Sequence, residues 1–229
     1  MSAIARKTVA SVPDRQFQKL PRRFALPEEL SVETQPLVHT GRLTLRRPVR
    51  EDAPAIARAL SNPRVAQKLV SVPQPYHLED AEDWLAAIDA GQEGWYFAIT
   101  LGGVRSLLAA SAGPAANGND DQTLIGMVAV TWRDRGSDAG WHIGFWLDEA
   151  HWGQGIMTEA ANAVVARFFS AHMGETLHSG AITGNGASLK IQEKLGFAVT
   201  GVADLWSLSR SQMVKVITTE LTFGGYMPM

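Results

Sequence analysis

Leu43 and Leu45 alternate with polar neighbours in TGRLTLRRPV, a period of two that predicts the first strand. REDAPAIARAL changes to helical spacing. SNPRVAQKLV predicts a second helix, with Asn62 at its cap and Pro63 in its first turn. HLEDAEDWLAAIDA predicts a third, with Leu78, Ala81, Leu85 and Ile88 on one side. Three strands follow: WYFAIT, TLIGMVAVTW and AGWHIGFWL. The first two are separated by residues 102–122, whose GPAANGNDD segment reads as a long hairpin loop. Residues 154–171 predict a helix whose buried stripe is Met157, Ala161, Val164 and Phe168. A strand around ETLHSGAIT, a helix over 186–195, and the strands FAVTGV and QMVKVITTELTF complete the pattern.

This order predicts a single α/β domain with a seven-stranded mixed sheet, mostly antiparallel and flanked by helices. Its central strands are antiparallel, and the crossover through 139–184 joins two parallel strands. Residues 1–37 hold four prolines and no sustained period, so the domain is expected over 38–224, with an extension before it and a tail at 225–229. The extension is locally basic: Arg6, Lys7, Arg15, Lys19, Arg22 and Arg23 stand against Asp14 alone over residues 1–23. A solvated tail is the simplest account of that run.

Composition narrows the chemistry. The 229 residues carry a net charge of −2 and no cysteine. Disulfides, thiolate catalysis and cysteine-ligated metals are excluded, and a metal site is not expected. The composition suits a reducing cytoplasm. No apolar run is long enough to span a bilayer, and no global charge points to nucleic acid.

HWGQGIMTEA sets Gly153 and Gly155 immediately before the long helix. A helix N-terminus offers unpaired N–H groups and a positive dipole end, and glycine allows a phosphate close to the backbone. Alone, the stretch fits an ordinary strand-to-helix turn equally well. It has neither the Lys-Ser/Thr of a Walker loop nor the third small residue of a dinucleotide fingerprint. A second segment, TGNGASLKIQEKLGF, places Asn185 at a strand end, where it can cap a helix that stops at Gly196. Ile191 and Leu195 fall three and seven residues after Ser188, which sets that hydroxyl near the inward face.

Together the segments resemble the GCN5-related N-acetyltransferases, in particular the ribosomal-protein N-terminal (RimJ/RimL-like) branch. The resemblance runs over about residues 38–223, through TGRLTLRRPVREDA, SNPRVAQKLVSVPQPYHLEDAEDWL, LIGMVAV, HIGFWLDEAHWGQGIMTEA and NGASLKIQEKLGF in order. It implies acetyl-CoA as cosubstrate and a primary amine as acceptor, either a protein N-terminus or a small molecule. Phosphate contacts are implied for Trp152, Gly153, Gln154, Gly155, Ile156 and Met157, with Thr158 as a hydroxyl donor. Trp152 and Met157 depart from the usual Gln/Arg-x-x-Gly-x-Gly/Ala loop but leave its backbone donors intact. Phe145, Trp146 and Leu147 would align the pantetheine arm, Asn185 would bond it from the other side, and Lys194 would reach a CoA phosphate.

The implied reaction is direct attack of a neutral amine on the thioester, which needs no enzyme nucleophile. A backbone N–H near Trp146 or Leu147 is the candidate for holding the oxyanion. Many relatives carry a tyrosine acid seven residues after the asparagine; Gln192 occupies that position here. Ser188 is the expected replacement and His142 the candidate base, with His178 and His151 behind it. Asp80, Glu82, Asp83, Asp148 and Glu149 could instead line an acidic cleft suited to a polyamine or an aminoglycoside-like antibiotic. A non-catalytic acyl-CoA sensor is the remaining alternative, and a homodimer is implied by resemblance alone.

Overall fold

A computed structural model of the protein describes residues 37–91, 94–103, 122–134 and 139–229. The extension up to residue 36 and most of the expected 102–122 loop lie outside these residues.

The strands are β1 (Val38–His39), β2 (Leu43–Arg46), β3 (Trp95–Leu101), β4 (Leu124–Arg133), β5 (Gly140–Leu147), β6 (Thr176–Ile182), β7 (Ala198–Ser207) and β8 (Gln212–Thr222). The helices are α1 (Ala53–Ser61), α2 (Pro63–Ala66), α3 (Leu78–Asp89), α4 (Ile156–Ala171) and α5 (Gly186–Leu195). One sheet runs β1-β2-β3-β4-β5-β6-β8-β7, antiparallel at every pairing except β5–β6. Among the described residues there are eight strands where seven are expected. The additional one, β1, is two residues long and pairs with Thr44 and Leu45, too short to leave a period in the sequence.

Alternation along the strands divides the core. Trp95, Phe97 and Ile99 of β3 pack with α4, whereas Tyr96 and Ala98 pack with α1 and α3 on the opposite face. The stripe read for α4 is buried in full, and α3 buries Ala81, Leu85 and Ile88 but leaves Leu78 at the rim. Other boundaries differ. The helix expected over 61–70 stops at Ala66: Val65 and Ala66 are buried, and the chain then turns through Gln67 and Lys68 toward Pro73 and Pro75. Asn62 caps that short helix as expected, accepting from the Arg64 N–H at 2.9 Å. α4 begins at Ile156 rather than Gln154, because Gly155 sits at φ +74°, a left-handed conformation no helix continues through.

The last residues fold back on the helices. The Met227 N–H donates to the Leu195 carbonyl at 3.1 Å, and the Tyr226 hydroxyl donates to Asn162 Oδ1 at 2.7 Å.

Candidate active site

β5 and β6 are held together at two rungs only, Trp141 opposite Leu177 and His142 opposite His178. Beyond them β5 stays on β4 and β6 stays on β8, so the parallel strands part. A cavity of about 890 Å³ fills the opening.

The backbone of β5 supplies one wall. The Asp148 N–H donates to the Ile125 carbonyl at 2.8 Å, which fixes the phase of the antiparallel ladder. By the two-residue period, the N–H groups of Trp146 and Gly144 point into β4, and those of Leu147 and Phe145 point into the opening. Ser179 Oγ, from β6, donates to the Ile143 carbonyl at 3.0 Å on the same side, where the strands begin to part. Of the two backbone groups the sequence offered for an oxyanion, the Leu147 N–H faces the cavity and the Trp146 N–H belongs to the sheet.

The glycine loop supplies the second wall. The first intrahelical bond of α4 runs from the Glu159 N–H to the Gly155 carbonyl at 3.1 Å. The N–H groups of Ile156, Met157 and Thr158 precede it, and all three residues line the cavity with Gly153 and Gly155. The Ile156 and Met157 side chains are buried in the core, so these residues present backbone to the opening. Gln154 does not line the cavity. Its carbonyl faces away and accepts from Arg42 Nη1 at 3.0 Å, and its side chain donates to the Ala150 carbonyl at 3.2 Å.

Trp152 lines the cavity and braces it. Its indole N–H donates to the Leu147 carbonyl at 2.8 Å, joining the loop to the end of β5. Lys68 Nζ lies 4.5 Å from its ring centroid and the Arg64 guanidinium 5.8 Å, both within cation–π range.

α5 supplies the third wall. Asn185 Oδ1 accepts from the Ser188 N–H, capping the helix at 3.5 Å, and both residues line the cavity along with Lys194 at its rim. Gln192, at the position where the tyrosine was sought, is buried. Its Oε1 accepts from Thr219 Oγ1 at 2.6 Å, and its Nε2 donates to Ser188 Oγ at 3.1 Å. The Ser188 oxygen thus receives a bond from within the protein and keeps its own proton to donate. All three tyrosines lie elsewhere. Tyr76 is buried among α1 and α3, and that burial, with Asp80 nearby, pushes its phenol up to about 12. Tyr96 stacks edge-on with Trp84, and Tyr226 is bonded to Asn162.

At the inner end, His142 is buried and its ring lies 5.3 Å from that of His178. At the far end of β6, where Val70 packs against Ile182, Val214 and Val216, two segments distant in sequence are joined. Ser209 Oγ donates to the Leu69 carbonyl at 3.1 Å, the Leu208 N–H to Val70 at 2.8 Å, and Arg210 Nε to Gln67 at 2.9 Å.

Among the described residues, no carboxylate lines the cavity, whereas Lys68, Arg133, Lys190 and Lys194 do. Most of the acids that might have formed a cleft are engaged elsewhere. Asp148 caps the turn at Ala150, Glu149 pairs with Arg64 and accepts from Asn62, and Asp80 accepts from the His77 N–H. Glu82 and Asp83 lie on α3, away from the opening. There is no group of three or more potential metal ligands, and no helix long and apolar enough to cross a membrane, among the described residues.

Thr40 and Arg42 hold the loop from behind through Glu159, a clasp with no mark in the sequence. Glu159 accepts from the Arg42 N–H at 3.0 Å, from Arg42 Nε at 2.7 Å and from the Thr40 hydroxyl. Partial burial raises the carboxyl's pKa, but the bonds from Thr40 and Arg42 together outweigh it and hold it below the ordinary value. Nothing in TGRL marks Arg42 as a partner for a residue more than a hundred positions away.

A family model described as an acetyltransferase (GNAT) domain matches residues 42–198. The Bacillus subtilis (strain 168) protein named "Probable N-acetyltransferase YjcK" is 39% identical over 83 residues. That match spans 36% of this chain and 46% of the relative, so the chain aligns with under half of that protein's length. Among solved structures, the Vibrio fischeri ribosomal-protein-S5-alanine acetyltransferase superposes with a TM-score of 0.61 at 20% identity, covering 84% of this chain and 99% of its own. The Mycobacterium smegmatis RimJ in complex with CoA-disulfide gives 0.61 at 16% identity, covering 79% and 81%. These structures share the fold, a mixed, mostly antiparallel sheet flanked by helices.

Proposed function

The chain belongs to the acetyltransferase (GNAT) family, and from that premise we propose that it transfers an acetyl group from acetyl-CoA to a primary amine by direct attack in a ternary complex. The observation that carries this reading is the cavity between the parted β5 and β6, with open helix N–H groups at one end and His142 at the other. An elongated cosubstrate with a pyrophosphate, an amide-bearing arm and a thioester matches that sequence of groups. The N–H groups of Gly155 through Thr158 serve the pyrophosphate, and the Leu147 N–H extends a strand-like ladder to the arm. Asn185 donates to the arm through the amide nitrogen that capping leaves over. Lys194 stands where a CoA phosphate would leave the cavity.

In the reaction, the amine nitrogen adds to the thioester carbonyl carbon, and the Phe145 N–H, the cavity-facing donor nearer His142, donates to the oxyanion that forms. His142 takes the proton the nitrogen loses. The C–S bond then breaks, and the thiolate takes the Ser188 proton, which solvent replaces as His142 returns its own. Gln192 keeps the Ser188 hydroxyl aimed for that donation. The fixed geometry removes the entropy of bringing two substrates together, so neither nucleophile nor metal is required for this step.

Among the described residues the lining holds no carboxylate, which favours an acceptor with one amine over a polycation, and a protein N-terminal α-amine is the reading adopted. The named activity of the Vibrio fischeri neighbour, on ribosomal protein S5 alanine, supports the same choice. The test is thiol release from acetyl-CoA with N-terminal peptides, single amines and spermidine. Turnover on peptide N-termini is expected. Preference for spermidine overturns the acceptor assignment, and CoA binding without turnover on any amine favours a sensor. Ser188→Ala is expected to lower turnover at saturating acetyl-CoA about 100-fold, with the KM for acetyl-CoA nearly unchanged. Unchanged turnover removes Ser188 from the mechanism.

A further inference from the structure

We propose that the part of the cavity beyond Gly180 is an acceptor subsite, which receives an aliphatic first side chain larger than that of alanine, beneath Val70 and against Leu205. The proposal rests on the reading of the acceptor as a protein N-terminal α-amine.

The sheet register lays out the subsite. Alternation carries the face of His142 and His178 on to Gly144 and Gly180, one step along the parted strands. Gly180 stands opposite Thr218 of β8, and Thr218 opposite Gly201 of β7. This row crosses three strands with little bulk above it. On the other side of the gap, a Cβ on Gly144 would meet nothing within 4 Å. An acceptor backbone entering over Gly144 and Gly180 can therefore lie along the row, with its amine beside the thioester carbonyl.

The next row is apolar. Ile182 stands opposite Val216 and Val216 opposite Ala203, while Leu205 lies two residues further along β7, so all four face the same side. Val70 packs against Ile182, Val214 and Val216, and its carbonyl accepts from the Leu208 N–H at 2.8 Å, which fixes it as a cover. Cover and floor leave room between them. Val70, Ala203 and Leu205 line the cavity, and Leu205 remains 39% exposed although Val214, opposite it, and Val216 are buried. Gly180 keeps the floor in place, because a Cβ there would stand 2.8 Å from Val216 Cγ1. Continuity identifies the occupant. The apolar end opens into the same cavity of about 890 Å³ as the parted strands, so what fills it belongs to the molecule whose amine meets the thioester. An aliphatic side chain there removes its own apolar surface and that of Leu205 from water. A charged one would lose its hydration with nothing in the apolar row to replace it.

Thiol release from acetyl-CoA by the full chain, with peptides that differ only in their first residue, tests this. A peptide beginning with leucine should show a kcat/KM at least about tenfold above its alanine counterpart, and one beginning with lysine should fall below both. Ala203→Leu places bulk where the first side chain would sit. Leu205→Ser removes the apolar wall at a partly exposed position, which leaves the core intact. Each should bring the ratio of leucine to alanine peptide to within about threefold of one. Acetyl-CoA affinity by calorimetry should stay within about twofold of the parent, which also reports that the variants are folded. Equal use of the leucine and alanine peptides by the parent chain, a preference for lysine, or a ratio that ignores both substitutions overturns the subsite and leaves the function standing. Release with free amines alone overturns the acceptor reading, and the subsite falls with it; no release with any amine overturns the function as well.

Discussion

Trp152 shows how one side chain can depart from a familiar loop and still build it. Its indole fastens the loop to the Leu147 carbonyl, its ring carries Lys68 on one face, and it touches both halves of the core. Trp152→Phe keeps most of the packing and removes the bond. The expected result is about 1 kcal/mol lost from stability and roughly fivefold weaker acetyl-CoA binding, read by denaturant unfolding and calorimetry. Equal affinity in both proteins would mean the brace does not shape the cofactor loop. Gln192 carries a similar lesson. The tyrosine sought at its position is absent, yet its amide is bound on both sides and passes order to Ser188.

At the scale of the element, the start of α4 depends on a strand far from it in sequence. Arg42 turns the Gln154 carbonyl outward and meets Glu159 with two bonds, so the loop is held from the side opposite the cavity. Because the Glu159 carboxyl is held below its ordinary value of 4.5, its contribution to stability is fully present above that pH. The contribution fades as pH falls through the lower, folded-state value. Glu159→Gln should therefore melt below the parent chain at neutral pH, with the gap closing in acid. A gap that is constant, or widens in acid, would contradict the assignment. The site is partly exposed, so salt should narrow the neutral-pH gap as well. Gly155 sets the other condition for this element. At φ +74° it accepts no β-branched residue without strain, so Gly155→Val should distort the row of helix N–H groups.

For the whole molecule, the decisive fact is that β5 and β6 share two rungs and then separate. Halves of the sheet joined so lightly should gain much from a ligand that spans the gap. Acetyl-CoA at about 100 times its Kd should add about 2.7 kcal/mol. For a domain of this size that is a rise of roughly 5–10 °C in Tm, which should be much smaller in Gly155→Val at the same concentration; an equal rise in both would refute the loop as the cofactor's anchor. By itself the sequence determined the alternation of strands and helices, the stripe of α4, the cap at Asn185, and the glycines of a loop that depends on backbone. These are local: periods of two or 3.6, caps and turn residues act over a few positions, so they can be read from neighbours. It determined neither which N–H of β5 faces the cavity, nor the Arg42–Glu159 clasp, nor the rung that pairs His142 with His178. Those depend on ladder phase, register and the side of a strand on which a partner has departed. Only the assembled sheet, bringing together residues separated by tens of positions, decided them.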